Sequence, residues 1–375
     1  MKKKILLIYY QNIKQNGISK SISNLTKNLI EDGYDVTILF LMTPHQDFFP
    51  IDDRVEKIYI DSFATPQFER AKKIKSTFRV KGKLNNLLHN LYDWGVFLLL
   101  QDWISKNENH YDIIIPCWYK LATYLTFTEC AHKTIAWEHI NYKTGGLIYY
   151  NLLRHRYKKL KGIVCLTESS LEYYKKLNPY SIKIPNIIGD QFENYVLNIN
   201  EKNNNILVAS RLDPEKNVKD FLDIIKDIVL PEDWTVTIAG TGIQEKELIA
   251  YARQLKIDKV KFAGSLSPDK MFQLYKESKI FCMTSLFEGL PTTLIEAMFC
   301  GNVLLSYDCP TGPAEIITEN NGFLIPLKDK PAFRTILQTL IDDPFLLEGL
   351  IKKSHKEADK WKKSEIIDKW KLLLR

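Results

Sequence analysis

Strand-length apolar runs alternate with helical patterns from one end of this chain to the other, and that alternation is its tightest constraint on fold. Ile5–Tyr10 reads as a buried first strand. A polar loop with Gly17 follows, and Ser19–Asp32 then carries Ile22, Leu25 and Leu29 at helical spacing. Val36–Met42 and Val55–Tyr59 are the next expected strands, followed by the short runs Ile113–Pro116, Thr134–Trp137 and Gly162–Leu166. Residues 189–204 are polar and Asn-rich without sustained periodicity, which reads as an interdomain linker. The pattern then restarts with strand Asn205–Ser210, helix Val218–Ile228, strand Thr235–Ala239, helix Gln244–Leu255 and strand Val260–Phe262. Helix Pro268–Glu277, strand Ile280–Met283, helix Thr292–Cys300 and strand Val303–Ser306 complete it. The expected class is α/β, in two similar halves built on parallel sheets.

Composition narrows the options. The 375 residues suit two domains at roughly 100–200 residues each. The 45% hydrophobic content supports a sizeable core and excludes global disorder. The formal charge of +7 is unevenly spread. Residues 1–190 hold 27 Lys+Arg against 18 Asp+Glu, whereas 191–375 hold 25 against 27, so the basic excess lies in the first half. The six cysteines show no CxxC or CxH spacing, and several sit in apolar runs, as expected of buried free thiols in the cytosol. No apolar run approaches the ~18–20 residues that span a bilayer, and Met1-Lys2-Lys3-Lys4 leads into only a strand-length run. The expected location is cytoplasmic, with any membrane contact peripheral.

The densest chemical signal is Phe287-Glu288-Gly289-Leu290-Pro291-Thr292-Thr293-Leu294-Ile295-Glu296-Ala297-Met298, which follows a strand and opens a helix. Pro291 suits the first turn, where its missing N–H has no intrahelical partner. Gly289 permits close backbone approach to a ligand. The helix start offers free N–H groups to an anion, with Thr292 and Thr293 as hydroxyl donors. Glu296 shares a helix face with Thr292 and is placed to bond a polyol, while Glu288 lies on the preceding loop. The alternative is an ordinary helix start with two solvent-facing glutamates. A second element, Ser210-Arg211-Leu212-Asp213-Pro214-Glu215-Lys216-Asn217, directly follows a buried strand, at the edge where α/β sheets bind ligands. Arg211 brings a planar fork and Lys216 a point charge, a pair suited to a diphosphate. Gly240-Thr241-Gly242 is not a dinucleotide fingerprint, because Glu245 stands at the third glycine position.

Together these elements resemble the retaining glycosyltransferases of family 4, which have the GT-B fold. The resemblance also rests on Ile238-Ala239-Gly240-Thr241-Gly242, Phe262-Ala263-Gly264, Asp308-Cys309-Pro310-Thr311-Gly312-Pro313-Ala314-Glu315-Ile316-Ile317 and Asn321-Gly322. It is specific over 205–325 and loose over 1–190. It implies two Rossmann-like parallel-sheet domains facing a cleft. Residues 1–190 plus 360–375 would form the acceptor domain, to which the amphipathic terminal helix crosses back, and 191–359 the donor domain. It further implies that Arg211 and Lys216 hold the diphosphate and Glu296 the ribose hydroxyls. Glu288, with the backbone of Gly289 and Leu290, would contact the donor sugar.

In such an enzyme the loop after the first strand touches the donor phosphates, and Gln15-Asn16-Gly17-Ile18-Ser19-Lys20 occupies that place. The family usually shows two adjacent glycines there; this chain has Asn16-Gly17, and Gly17 is the phosphate-contact candidate. His139 follows the strand Thr134–Trp137, where it would orient the donor or receive an acceptor proton, or else serve structure alone. Two basic clusters, Arg70–Lys83 beside the apolar, Trp-containing stretch Leu91–Ile104 and Arg154–Lys161, suit an anionic membrane surface. A solvated loop and a core helix are the alternative, and nucleic acid is not expected.

The expected activity moves a hexose or N-acetylhexosamine from a nucleotide diphosphate sugar, UDP-linked, to a hydroxyl of a lipid-linked or polysaccharide acceptor. The setting would be a bacterial surface glycan such as capsule or lipopolysaccharide. No Asp-x-Asp pair is present to chelate a divalent cation, so a metal-independent enzyme is expected, without a cofactor beyond the donor. Glu288 and His139 are the candidate catalytic residues. The rival readings are a GT-B nucleotide-sugar epimerase and an inactive sugar-nucleotide-binding scaffold.

Overall fold

The computed structural model of the chain describes residues 2–13, 16–78, 83–143 and 148–375. Its contacts divide it into two units, Met1–Ile184 with Leu373–Arg375, and Pro185–Leu372. The boundary thus falls at 184/185 rather than 190/191, and of the terminal segment only Leu373–Arg375 groups with the first unit.

The first unit runs β1 (Lys4–Tyr9), α1 (Gly17–Glu31), β2 (Asp35–Phe40), β3 (Glu56–Tyr59), α2 (Pro66–Phe78), α3 (Lys83–Asn107), β4 (Ile113–Pro116) and α4 (Tyr119–Leu125). Then come β5 (Ile135–Glu138), α5 (Ile148–Leu153), β6 (Gly162–Cys165), α6 (Glu168–Lys175) and β7 (Ser181–Lys183). Every pairing is parallel, in the orders β3-β2-β1-β4 and β5-β6-β7, and a bridge from Ile114 to Thr134 links the two sheets. β1 reads as a continuous apolar run because both faces are covered; Ile5 to Ile8 are fully buried. α1 covers it with Ile22, Leu25 and Leu29. α3 buries Val96, Leu100 and Ile104, one helical stripe, in the core of β1 and β4.

The second unit runs α7 (Asp190–Glu193), β8 (Asn203–Ala209), α8 (Val218–Ile225), β9 (Thr235–Ala239), α9 (Glu245–Gln254), β10 (Val260–Gly264), α10 (Pro268–Glu277) and β11 (Ser278–Met283). It continues with α11 (Thr292–Phe299), β12 (Val303–Tyr307), α12 (Pro313–Ile316), β13 (Gly322–Ile325), α13 (Lys330–Asp342), α14 (Pro344–Glu357) and α15 (Lys363–Leu374). Its parallel sheet is ordered β10-β9-β8-β11-β12-β13. The order reverses between β8 and β11, so loops leaving their carboxyl ends diverge, and ligands bind open parallel sheets at such a point.

The Asn-rich stretch 189–204 is no linker. It lies wholly inside the second unit and folds into α7, a turn at Ile199–Glu201 and the start of β8. Phe192 anchors it, buried with its ring 4.9 Å from that of Phe272. Glu193 accepts the Lys363 backbone N–H, and the Lys363 ammonium meets Asp190 at 2.7 Å. Polar composition hid one buried aromatic. All six cysteines are buried and free, as their apolar surroundings required.

Candidate functional site

The site in the second unit forms where β8 and β11 end. Ser210 leaves β8 against the loop after β9, and Gly240 makes that approach possible. A Cβ there would lie 1.9 Å from the Ser210 carbonyl oxygen, at a φ of +126°. The glycine of Gly240-Thr241-Gly242 therefore serves backbone packing under the site, in keeping with the rejection of a dinucleotide turn. Asp213 accepts the Ile243 N–H and the Arg211 guanidinium, and Glu215 takes the other arm of Arg211. Arg211 remains 53% exposed.

Lys216 ends a short turn, and Asn217 after it adopts the left-handed conformation (φ 49°), tolerable for Asn. Three bonds tie this loop to the one after β11. Leu286 N–H donates to the Glu215 carbonyl at 2.8 Å, Thr284 Oγ1 donates to the Asn217 carbonyl at 3.1 Å, and Lys216 Nζ lies 2.7 Å from both oxygens of Glu288. Ser285 Oγ donates to Glu288 Oε1 at 2.6 Å. The expected phosphate cation and the expected sugar carboxylate are thus paired with each other.

A third loop supports Glu288. Its N–H donates to the Pro310 carbonyl at 2.9 Å, and Thr311 Oγ1 donates to the carbonyls of Glu288 and Gly289. Gly312 fits beneath because it has no Cβ; one would lie 2.4 Å from the Gly289 carbonyl oxygen. Cys309 packs nearby, and burial, then the Glu288 charge, pushes its thiol up to about 12 despite Lys216.

α11 starts here. Pro291 stands at its N-cap rather than in its first turn, because its ψ of 92° is extended. Thr292 and Thr293 are partly exposed on the first turn, which carries no acidic side chain, so the free N–H groups and positive dipole end remain available to an anion. Leu290 is buried, leaving its backbone as the group to offer. Glu296 is only 2% exposed, so it is not solvent-facing. Tyr275 lies beside it, and burial plus the Glu296 charge raise that phenol well above its usual range. Two buried polar atoms of the loop, Ser210 Oγ and Asn217 Nδ2, have no partner among the described residues. Such unmet buried groups, in a loop that also carries two cations and lies beside a helix start, have the chemistry that an oxygen-rich anion can satisfy.

Gly17 and His139 belong to the first unit. Gly17 opens α1, and Asn16, the residue standing in place of a second glycine, is its N-cap: Asn16 Oδ1 accepts the Ser19 N–H at 2.8 Å. His139 follows β5 and is 8% exposed, its ring 4.3 Å from that of Trp137. Its Nε2 has no partner among the described residues, and burial lowers its pKa from 6.5 to about 3. The imidazole is therefore neutral at pH 7 and available as an acceptor. A folded-state pKa below the unfolded one means stability that is complete above pH 6.5 and lost as pH falls from 6.5 towards 3. We expect the unfolding free energy from urea titration to fall over that window by up to about 1.4 kcal/mol per pH unit, a slope that His139→Leu removes. Activity should show no histidine inflection from His139 between pH 5 and 8.

Residues not singled out from sequence complete the site: Ser285, which bonds Glu288; Asp213 and Glu215, which hold Arg211; and Thr311, which supports the Glu288 loop. All four lie within or beside the motifs quoted above; the bonds of Asp213 and Glu215 to Arg211 and of Ser285 to Glu288 are local, and of these contacts only that of Thr311 spans distant segments.

The basic clusters divide. Arg70 and Lys73 are exposed, whereas Arg79 and Lys81 lie outside the described residues, as do the side chains of Lys72, Lys75 and Lys83. Trp94 on α3 is 52% exposed. In the second cluster Arg154 is no surface cation: it is fully buried and donates to the Tyr142 carbonyl and Asn151 Oδ1. Arg156 stacks 3.7 Å from the Phe127 ring centroid, leaving Lys158 and Lys159 exposed. No helix among the described residues is long and apolar enough to cross a membrane.

Residues 190–361 match the family model "Glycosyl transferases group 1". The chain is 24% identical over 383 residues to the amylovoran biosynthesis glycosyltransferase AmsD of Erwinia amylovora, covering 98% of this chain and 99% of that one. It is 32% identical over 177 residues to a Campylobacter jejuni alpha-1,4-N-acetyl-D-galactosaminyltransferase named for an undecaprenol-linked acceptor, covering 46% of this chain and 48% of that one. Among solved structures, S. aureus TarM in complex with fondaparinux, alpha-GlcNAc-glycerol and UDP aligns over 100% of both chains, with a TM-score of 0.76 and 14% identity. WaaG, a glycosyltransferase involved in lipopolysaccharide biosynthesis, aligns over 95% of both, with a TM-score of 0.68 and 14% identity. The fold is GT-B.

Proposed function

We propose that this chain, with its group 1 glycosyltransferase match and GT-B fold, transfers a hexose or N-acetylhexosamine from a UDP-sugar to a hydroxyl of a lipid-linked or polysaccharide acceptor. The product would belong to a bacterial surface glycan. The observation that carries the reading is the cluster of Lys216, Glu288 and Ser285 at the carboxyl ends of β8 and β11, beside the start of α11. The names of the relatives, in amylovoran, lipopolysaccharide and undecaprenol-linked glycan synthesis, support the acceptor class.

In the proposed reaction the acceptor oxygen attacks the anomeric carbon on the face that the diphosphate leaves, so configuration is retained. The bond from that carbon to the phosphate oxygen breaks, and its electron pair goes to the diphosphate. The acceptor O–H breaks as the new C–O bond forms, and the proton passes to the departing phosphate oxygen. Neither Glu288 nor His139 need act as nucleophile. Lys216, Arg211 and the α11 start neutralise the developing charge in place of a metal ion. A diphosphate competes with carboxylates for the same cations, so donor entry would draw Lys216 from Glu288, and Arg211 from Asp213 and Glu215. Glu288, freed, can only accept hydrogen bonds, which suits donor-sugar hydroxyls. Exposed Arg70, Lys73, Lys158 and Lys159 would hold the enzyme to the cytoplasmic face of an anionic membrane.

The test is a donor screen that follows nucleoside diphosphate release with and without lipid-linked acceptors. Acceptor-dependent release from a UDP-hexose or UDP-N-acetylhexosamine is expected. Acceptor-independent epimerisation would favour an epimerase, and donor binding without release a scaffold. Gly17→Ala separates fold from phosphate contact in the first unit. No atom of the described residues lies within 4 Å of an added Cβ and φ is ordinary, so Tm should hold within about 2 °C while donor KM rises about tenfold. An unchanged KM would remove Gly17 from the site.

A further inference from the structure

The first unit has a strand-order reversal of its own. β1 lies between β2 and β4, so the loops leaving β1 and β4 diverge at their carboxyl ends, where open parallel sheets take ligands. Tyr10 leaves β1 there, and Trp118, Tyr119 and Lys120 follow β4. Asp93 of α3 and Tyr150 of α5 complete a polar cluster among aromatic rings. Asp93 is 8% exposed, and its Oδ2 accepts from Lys120 Nζ at 2.7 Å and from Tyr150 Oη at 3.0 Å. The Tyr124 and Tyr150 hydroxyls are 2.9 Å apart. Asp93 Oδ1 accepts no hydrogen bond from the described residues. Around it stand Tyr10 and Tyr92, both partly exposed and both close enough for the Asp93 charge, after burial, to raise their pKa values. Trp118 is likewise partly exposed, its ring 5.2 Å from that of Tyr119.

The chemistry selects the ligand. A carboxylate oxygen with no partner among the described residues can only accept, and so suits a hydroxyl or amide donor. Aromatic faces beside it favour a ring with apolar C–H surface. A neutral pyranose supplies both. We propose that the cluster of Asp93, Lys120 and Tyr150, rimmed by Trp118 and Tyr10, is a subsite for an uncharged sugar ring of the acceptor, with one ring hydroxyl donating to Asp93 Oδ1. The proposal rests on the transferase reading and names where the acceptor glycan is held.

The test uses the full chain saturated with UDP, which fills the nucleotide site of the second unit. Methyl glycosides of glucose, galactose, N-acetylglucosamine and N-acetylgalactosamine are titrated by saturation-transfer NMR. At least one should bind the wild type, and Asp93→Asn should weaken it about tenfold or more, the effect of losing a bond to a charged group, while UDP affinity stays unchanged. Trp118→Leu, at the rim, should weaken it too with Tm unchanged, which covers the case of an unstable Asp93→Asn. Wild-type glycoside affinity in either folded variant, or no glycoside binding by a wild type that binds UDP, overturns the subsite. A wild type that fails to bind UDP overturns the donor reading instead, which is a separate result.

Discussion

Lys216→Ala should lower turnover about a thousandfold while the second unit stays folded, the upper range for removing one charge that stabilises a transition state. Lys216 Nζ lies 2.7 Å from both Glu288 oxygens, and both side chains are mostly buried, so the ammonium is held at the site until a donor draws it away. The variant leaves Glu288 with Ser285, and with backbone support from Thr311 and Pro310, so its loop keeps its shape. Thermal unfolding should therefore change by only a few degrees. Glu288→Ala should lose activity to a similar degree, and the double variant should be little worse than either single one, since the two groups act as a unit. Wild-type turnover by either single variant, measured as nucleoside diphosphate release with acceptor present, would sink the site assignment.

Gly240→Ala should be the most damaging substitution for stability. An added Cβ would sit 1.9 Å from the Ser210 carbonyl oxygen, a backbone atom that no side-chain rotation can move aside, at a φ of +126°. Clash and backbone strain together place the cost at about 3–5 kcal/mol, on the order of 10 °C in Tm for a unit of this size. Gly264→Ala is the control: its φ is +65° but no atom of the described residues lies within 4 Å of an added Cβ. It should cost about 1–2 kcal/mol, the left-handed penalty alone. Equal melting shifts in the two variants would show that close approach to Ser210 is not what Gly240 provides. Shifting Ser210 also displaces Arg211, so Gly240→Ala should weaken donor binding as well.

Much of the architecture was legible from local pattern. Ile113–Pro116, Thr235–Ala239 and Pro268–Glu277 coincide with observed elements, and the other expected strands and helices differ by a few residues at their ends, whereas α2, α4, α5, α6, α7, α12, α13 and α14 had not been expected. Buried parallel strands are apolar on both faces, so short runs betray them even without alternation. β7 and β13 were not foreseen, being only three and four residues long. The Asn-rich stretch misled for a related reason: its one deep anchor, Phe192, does not make a periodic pattern. At the site, Arg211, Lys216, Glu288 and the start of α11 could be named because each follows a strand end. Their pairing could not. Nor could the burial of Arg154, which sits in a basic run that looks like surface.

The division follows the range of the forces involved. Strand periodicity and helix starts depend on near neighbours, so the order of residues settles them, whereas Gly240 and Gly312 are needed because of backbone atoms 30 and 23 positions away. Lys216 meets Glu288 across 72 positions, and Asp93 meets Lys120 across 27 and Tyr150 across 57. Those meetings depend on which strand ends lie side by side. β8 beside β11 and β1 beside β4 are products of packing whole sheets, and that packing decides which charges are neutralised and which oxygen atoms keep acceptor capacity.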